Sequence, residues 1–191
     1  MGFFSAVGVM LVQVAFGFVL LIVALRLLLP LTRVRFNNPI CQFVYKATNP
    51  VVGPLSQLLP PRRQFSLATL LVLWLVALIE TVLLFLLVGL PLLPGYLLLA
   101  SSIGLLYYLL GIAFWSILFC VIASFFSPDH RNPAVEVLFG LTEPLLRPFR
   151  NLPPKLANFD LSPLYASLML RLIMLALAHA LGPLNALLVP L

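Results

Sequence analysis

The sequence predicts an all-α membrane protein in which four transmembrane helices form two parallel two-helix repeats, each with an interfacial amphipathic helix in its loop. Three observations predict it. Of 191 residues, 63% are hydrophobic and 8% are charged, which leaves too little polar surface to cover a soluble domain. Four apolar stretches, 7–31, 66–88, 97–126 and 162–181, each reach the roughly 20 residues a helix needs to cross the hydrocarbon core. One stretch also occurs twice, 94 residues apart and without a gap: Asn38, Pro39, Thr48, Pro50, Pro54, Leu58, Pro60, Phe65, Leu67 and Leu70 return as Asn132, Pro133, Thr142, Pro144, Pro148, Leu152, Pro154, Phe159, Leu161 and Leu164. A unit duplicated in this way has apolar faces that need the other copy to cover them. The chain therefore divides into a first repeat at 1–92 and a second at 93–191.

The first basic residue of the opening span is Arg26, at its far end, so the span reads as retained rather than as a cleaved leader. Arg33, Arg35, Lys46, Arg62 and Arg63 separate spans one and two, and Arg131, Arg147, Arg150 and Lys155 separate spans three and four. The link at 89–96 and the tail after residue 181 carry none. Basic loops stay cytoplasmic, so both loops face inward and both termini outward. The repeats then enter the membrane in the same sense, unlike inverted carrier repeats. The net charge of +6 belongs to these loops, where topology control and contact with anionic headgroups account for it. No nucleic acid is expected as a partner, because stacking aromatics and a dense basic stripe are missing. Cys41 lies in a loop and Cys120 in a span, without Cys-x-x-Cys spacing, so no disulfide is expected.

Within each loop, Asn38 and Asn132 are good N-caps, and Pro39 and Pro133 stand at the first helical position, where a missing N–H costs nothing. A short helix is expected to follow, with Ile40, Phe43, Val44 and Ala47 on one side, matched by Ala134, Val137, Leu138 and Leu141. Thr48-Asn49-Pro50 and Thr142-Glu143-Pro144 are expected to stop it, since a residue before proline is pushed out of the helical region. A second proline-bounded segment runs on through Pro54 and Pro148. Ser66 and Asp160 then cap the next spans. Such a loop satisfies its own backbone at the interface. Two near-identical basic platforms, with Arg62, Arg63, Arg147, Arg150 and Lys155 near phosphate depth, also suit the docking of headgroups or a membrane protein partner.

Arg26, Glu80 and Arg171 fall inside predicted spans, where an ionisable group costs roughly 2.5–3.5 kcal/mol on insertion scales. Arg26 is near a loop end and is expected to snorkel as an anchor. Glu80 and Arg171 lie 14 and 11 residues past the matched caps Ser66 and Asp160, within about 4.5 Å of each other in depth. An ion pair between them is expected if their helices adjoin. All three break the repeat: Arg26 aligns with Cys120, Glu80 with Met174 and Arg171 with Ala77. Gln13 and His179, toward the outer ends, read as interhelical hydrogen-bonding or solvated groups, and Ala100, Gly104 and Gly111 as a small-residue packing stripe. No paired His and carboxylate at metal spacing, Gly-rich phosphate cradle or Gly-x-Ser-x-Gly elbow is present, and no enzyme, cofactor or metal is expected.

Arg35-Phe36-Asn37-Asn38-Pro39, Thr48-Asn49-Pro50, Arg131-Asn132-Pro133, Thr142-Glu143-Pro144-Leu145-Leu146-Arg147-Pro148-Phe149-Arg150 and Phe159-Asp160-Leu161-Ser162-Pro163 resemble the two tandem units of the YggT family, whose plastid relatives are called YlmG proteins. The resemblance covers most of the chain and implies a small bacterial inner-membrane protein with two repeats; the placing of the basic loops then puts the termini in the periplasm and the long loops in the cytoplasm as an expectation. It implies no catalytic residue. Relatives have been connected with osmotic tolerance, cell-division gene neighbourhoods, nucleoid distribution and haem attachment to cytochromes. The sequence departs from equivalence of the copies at Ser66 against Asp160, and in lacking a partner for Pro163. Two roles follow as expectations: a membrane scaffold or assembly factor, with a protein partner or as a homo-oligomer, and an ion or small-solute conduit through Glu80 and Arg171.

Overall fold

The computed structural model describes residues 2–32, 34, 36–60, 64–125, 132–150 and 160–182. Among these residues six α-helices follow one another: α1 (Phe3–Leu28, continued by a tight turn at Leu29–Leu31), α2 (Pro39–Leu58), α3 (Leu67–Val88), α4 (Pro94–Phe125), α5 (Pro133–Leu146, continued at Arg147–Phe149) and α6 (Ser162–Leu181). Four are long and apolar enough to cross a membrane: α1 with its turn, α3, α4 and α6. Their outward positions are apolar as well, for example Leu71, Leu75, Ile79 and Leu86 on α3, as lipid contact requires. α4 starts earlier than the hydropathy alone suggests, at Pro94, because Gly89 adopts a left-handed conformation that ends α3 and lets the chain reverse within a few residues.

The hairpin α1–α3 and the hairpin α4–α6 pack side by side through α3 and α4. Small residues permit it. Ala24, Ala68, Ala77, Ala100 and Ala166 are buried where the helices meet, which allows backbones to approach closely where van der Waals contact drives association. Leu20, Leu27, Leu73 and Leu105 fill the space beside them, and Leu84, Phe85 and Leu181 fill the opposite end.

α2 and α5 lie at the same end of the bundle and touch each other. Leu29, Cys41, Val44, Val137 and Leu141 form one apolar cluster beneath them. The prolines stop neither helix, which corrects the sequence expectation. Lys46, Pro50, Pro54 and Leu58 share the exposed face of α2. The hydrogen bonds that Pro50 and Pro54 forfeit therefore involve carbonyls of exposed residues, where water can replace the missing donors. Pro144 likewise sits on the exposed side of α5. The inward face of α2 is also rotated from that expected: Cys41, Val44, Thr48 and Val52 are buried, and Phe43 points outward. On α5, Val137 and Leu141 are buried as expected.

Gly140 explains how α5 comes so near the end of α1. A Cβ built there would fall on the Val34 side chain and 3.5 Å from the Thr32 side chain. The first repeat carries Lys46 at this position, on an exposed face. Replacing Gly140 by Val should cost about 1–3 kcal/mol through overpacking, read as a lower melting temperature in detergent. A melting temperature unchanged from wild type would show that α5 can move away freely.

Candidate functional site

The polar groups at the loop end converge on the seam between the repeats. Asn38, 4% exposed, caps α2 by accepting the Ile40 N–H at 2.9 Å. The same side chain donates from Nδ2 to the Pro133 carbonyl and to Glu136 Oε2, both at 2.9 Å. One asparagine thus closes its own helix and ties it to the first turn of the other. Asn132 caps α5 by accepting from Ala134 N–H at 3.0 Å, with Pro133 next to it as Pro39 is next to Asn38.

Arg26 does not snorkel. It is 9% exposed, and its guanidinium is turned onto α2. Nη1 donates to Thr48 Oγ1 at 2.8 Å and to the Tyr45 carbonyl at 3.2 Å, and Nη2 donates to Asn49 Oδ1 at 3.4 Å. The Tyr45 ring lies 4.7 Å from the guanidinium carbon, within cation–π range. The Thr48 hydroxyl in turn donates a hydrogen bond to the Val44 carbonyl at 2.6 Å. A planar cation with several donors suits this group of oxygens in the turn before Pro50. Burial raises the Tyr45 hydroxyl pKa, opposed by the Arg26 charge, and burial with the nearby Glu136 charge raises that of the Cys41 thiol. Cys41 is an inert packing group.

The second repeat keeps the contact and changes its chemistry. Cys120 occupies the position of Arg26, and Thr142 Oγ1 lies 3.5 Å from its sulfur while bonding the Leu138 carbonyl at 3.0 Å. Glu143, in the position of Asn49, pairs with Arg150 at 2.6 Å on the surface. Arg147 and Pro148 fall in the exposed turn after α5. Arg62, Arg63 and Lys155 lie outside the described residues. Asp160 accepts from the Ser162 N–H at 2.9 Å and from its hydroxyl at 2.5 Å, and these bonds hold its carboxyl below the ordinary aspartate range. Ser66 does the corresponding work for α3 through Thr69 N–H at 3.2 Å.

Glu80 and Arg171 are not brought together: among the described residues no salt bridge joins them. Glu80 lines a pocket of about 100 Å³ with Gln13, Gly17, Thr81, Ser101 and Tyr108. Arg171 lines a separate groove of about 810 Å³, its guanidinium 5.6 Å from the Phe114 ring centre. Tyr108 borders both and donates to the Gly17 carbonyl at 2.6 Å. The helices are placed as α1–α3–α4–α6, so α4 stands between the two charges. Sequence reasoning missed the Arg26 clamp and the Asn38 tie. A signal for the clamp was present: a matched pair, Thr48 and Thr142, facing a position that changes from arginine to cysteine.

Fold and site define a multi-pass helical membrane protein built from two tandem repeats, with two amphipathic helices fastened across its pseudo-symmetry seam. The CCB3/YggT family profile matches twice, over residues 6–87 and 99–181. The chain belongs to this family. It is 35% identical over 173 residues to the "Uncharacterized protein YggT" of Escherichia coli strain K12, covering 89% of this chain and 88% of the relative. It is 34% identical over 172 residues to "Uncharacterized protein PA0392" of Pseudomonas aeruginosa, covering 88% and 87%. A Vibrio alginolyticus protein named for the proC 3′ region is 31% identical over 175 residues, covering 91% and 94%. No solved structure matches the chain.

The clamp predicts a coupling. Arg26→Met and Thr48→Val should be non-additive by about 1.5–3 kcal/mol, the range for a hydrogen bond to a charged group, in denaturant unfolding from mixed micelles. Cys120→Ala with Thr142→Val should couple by less than about 1 kcal/mol, since a thiol is a weak partner. Additive effects at the first pair would show that the guanidinium holds α2 by other means. The Asp160 cap gives a pH dependence. Its depressed carboxyl adds stability that is complete above the ordinary value of 3.8 and is withdrawn as pH falls through the lower folded value. Melting curves from neutral pH down to about 3 should show an acid loss in wild type that Asp160→Asn lacks.

Proposed function

We propose that this chain is a non-enzymatic scaffold or assembly factor of the bacterial inner membrane. Its loops lie on the cytoplasmic side and its termini in the periplasm, and α2 with α5 forms one platform that rests on anionic headgroups and docks a membrane protein partner. The observation that carries this reading is Asn38, whose side chain makes a single rigid surface from two helices 95 residues apart in sequence. Arg26 supports it, because a charge buried at membrane depth is used here to hold α2 in place. The exposed Arg147 and Arg150 provide the cationic rim such a surface needs near phosphate groups.

The second reading is an ion or small-solute conduit linked to osmotic tolerance. What favours it is Glu80 with Gln13, Ser101 and Tyr108 in one pocket. What weighs against it is that the two deep charges border different cavities on either side of α4. A homo-oligomer that gathered several copies of Glu80 would revive it.

Affinity purification of the tagged protein in native lipid discs, with quantitative mass spectrometry, separates the two. The wild type should recover a stoichiometric partner that is lost when Arg62, Arg63, Arg147 and Arg150 are neutralised together. Recovery of the chain alone, or only with itself, would overturn the docking role and direct work to flux assays on Glu80 variants.

A further inference from the structure

Duplication places the same pocket in this chain twice. Gln13, Gly17, Leu20, Ala77 and Glu80 line the small pocket of the first repeat. Their counterparts 94 residues on are Tyr107, Gly111, Phe114, Arg171 and Met174, and all five line the wide groove. In the first copy α4 closes the space, helped by the bond from Tyr108 to the Gly17 carbonyl, and about 100 Å³ remains. In the second copy the corresponding border is Leu21 and Leu25 of α1, with Val137, Leu138 and Leu141 of α5 across the loop end, and the space reaches about 810 Å³. One acid sits in the closed pocket and one base in the open groove.

Arg171 is exposed yet lies 11 residues past Asp160, roughly 16 Å along the helix and so near the middle of the hydrocarbon. Its guanidinium lies 5.6 Å from the Phe114 ring centre, in a groove that α5 also lines. A guanidinium at that depth is strongly drawn to any anion that can reach it, because the low dielectric magnifies their attraction, and its planar fork fits a carboxylate or a phosphate. The rest of the wall is aromatic and apolar apart from the Tyr107, Tyr108 and Ser116 hydroxyls, and the groove volume falls within the roughly 300–1,000 Å³ of small-molecule sites. A membrane-spanning helix does not suit the groove, since α5 closes one end and a span would have to pass through it. Glu80 of the same chain is held in the other pocket.

We propose that this groove binds an anionic amphiphile of the bilayer, a hydrocarbon chain bearing a carboxylate or a phosphate, with the anionic group on Arg171 and the chain against Tyr107, Gly111, Trp115 and Phe119. The two cavities then differ in purpose: the first repeat packs its copy shut, and the second keeps its copy as a lipid site.

The full chain in phosphatidylcholine nanodiscs tests this with three diazirine probes: palmitate, phosphatidic acid and the uncharged hexadecanol. Saturable labelling of α4 between Tyr107 and Phe119 is expected from an anionic probe, about tenfold above hexadecanol, the scale of one charge-assisted hydrogen bond. Palmitate outperforming phosphatidic acid would assign a free acid, and the reverse a phospholipid. Arg171→Gln should lower labelling by a similar factor of about ten while Arg171→Lys keeps most of it. Equal labelling by hexadecanol, undiminished labelling of Arg171→Gln, or crosslinks from the groove to a second copy or a partner helix in place of lipid would each overturn the proposal. Should Arg171→Gln fail to accumulate, competition on the wild type decides it: unlabelled palmitate must displace the probe and hexadecanol must not.

Discussion

The arrangement depends on a buried cation at the end of α1. Arg26 lies where water is scarce, and the oxygens it reaches belong to the turn of α2 that precedes Pro50. Each side supplies what the other lacks. The guanidinium needs acceptors to be tolerated at that depth, and α2 needs a fixed attachment because an amphipathic helix alone at an interface is held only by its apolar face. With α2 fixed, Asn38 stands where its amide reaches Pro133 and Glu136, and the cap of one repeat becomes the joint between both. Cys41 and Val44 are brought onto Val137 and Leu141 by the same placement.

The two copies solve one problem with different chemistry. A threonine bonds back to the carbonyl four residues earlier in each, that of Val44 or Leu138, leaving its oxygen toward the facing span. In the first copy that span presents a guanidinium, and in the second a thiol at 3.5 Å, which is a much weaker partner. The second platform is held by other means: Gly140 lets it press against Thr32 and Val34, while the Glu143–Arg150 pair closes within its own exposed turn. The first repeat is fastened by polar bonds and the second by close packing.

The spans, their number and the tandem order were legible because apolar runs and a gapless repeat leave few alternatives. The caps at Asn38, Asn132, Ser66 and Asp160 were legible for a local reason, since an N-cap acts within a few residues. The prolines misled. Their stopping power assumes that the lost hydrogen bond goes unreplaced, and the four-residue spacing of Pro50 and Pro54 puts both on the exposed side of α2, where that assumption fails. Depth misled as well. Glu80 and Arg171 do lie at similar distances from their caps, but depth says nothing about azimuth, and α4 stands between them. What sequence could have yielded is the clamp, from the change at position 26 opposite an unchanged threonine.

Opposite charges in equivalent cavities carry a further physical consequence. A pocket that holds a carboxylate and one that holds a guanidinium cannot take the same ligand, so the pseudo-symmetry of the backbone does not extend to binding. The difference in closure points the same way. Around Glu80, helices α1, α3 and α4 leave room for little more than a few water molecules, a setting suited to a group that stays within the fold. Around Arg171 the wall is open and aromatic, and among the described residues the guanidinium faces the Phe114 ring with no carboxylate in salt-bridge contact, which leaves room for an anion from outside the chain. Asymmetry introduced after duplication therefore concentrates ligand-binding capacity in the second repeat, while the first supplies the rigid attachment against which α5, the cover of that groove, is held.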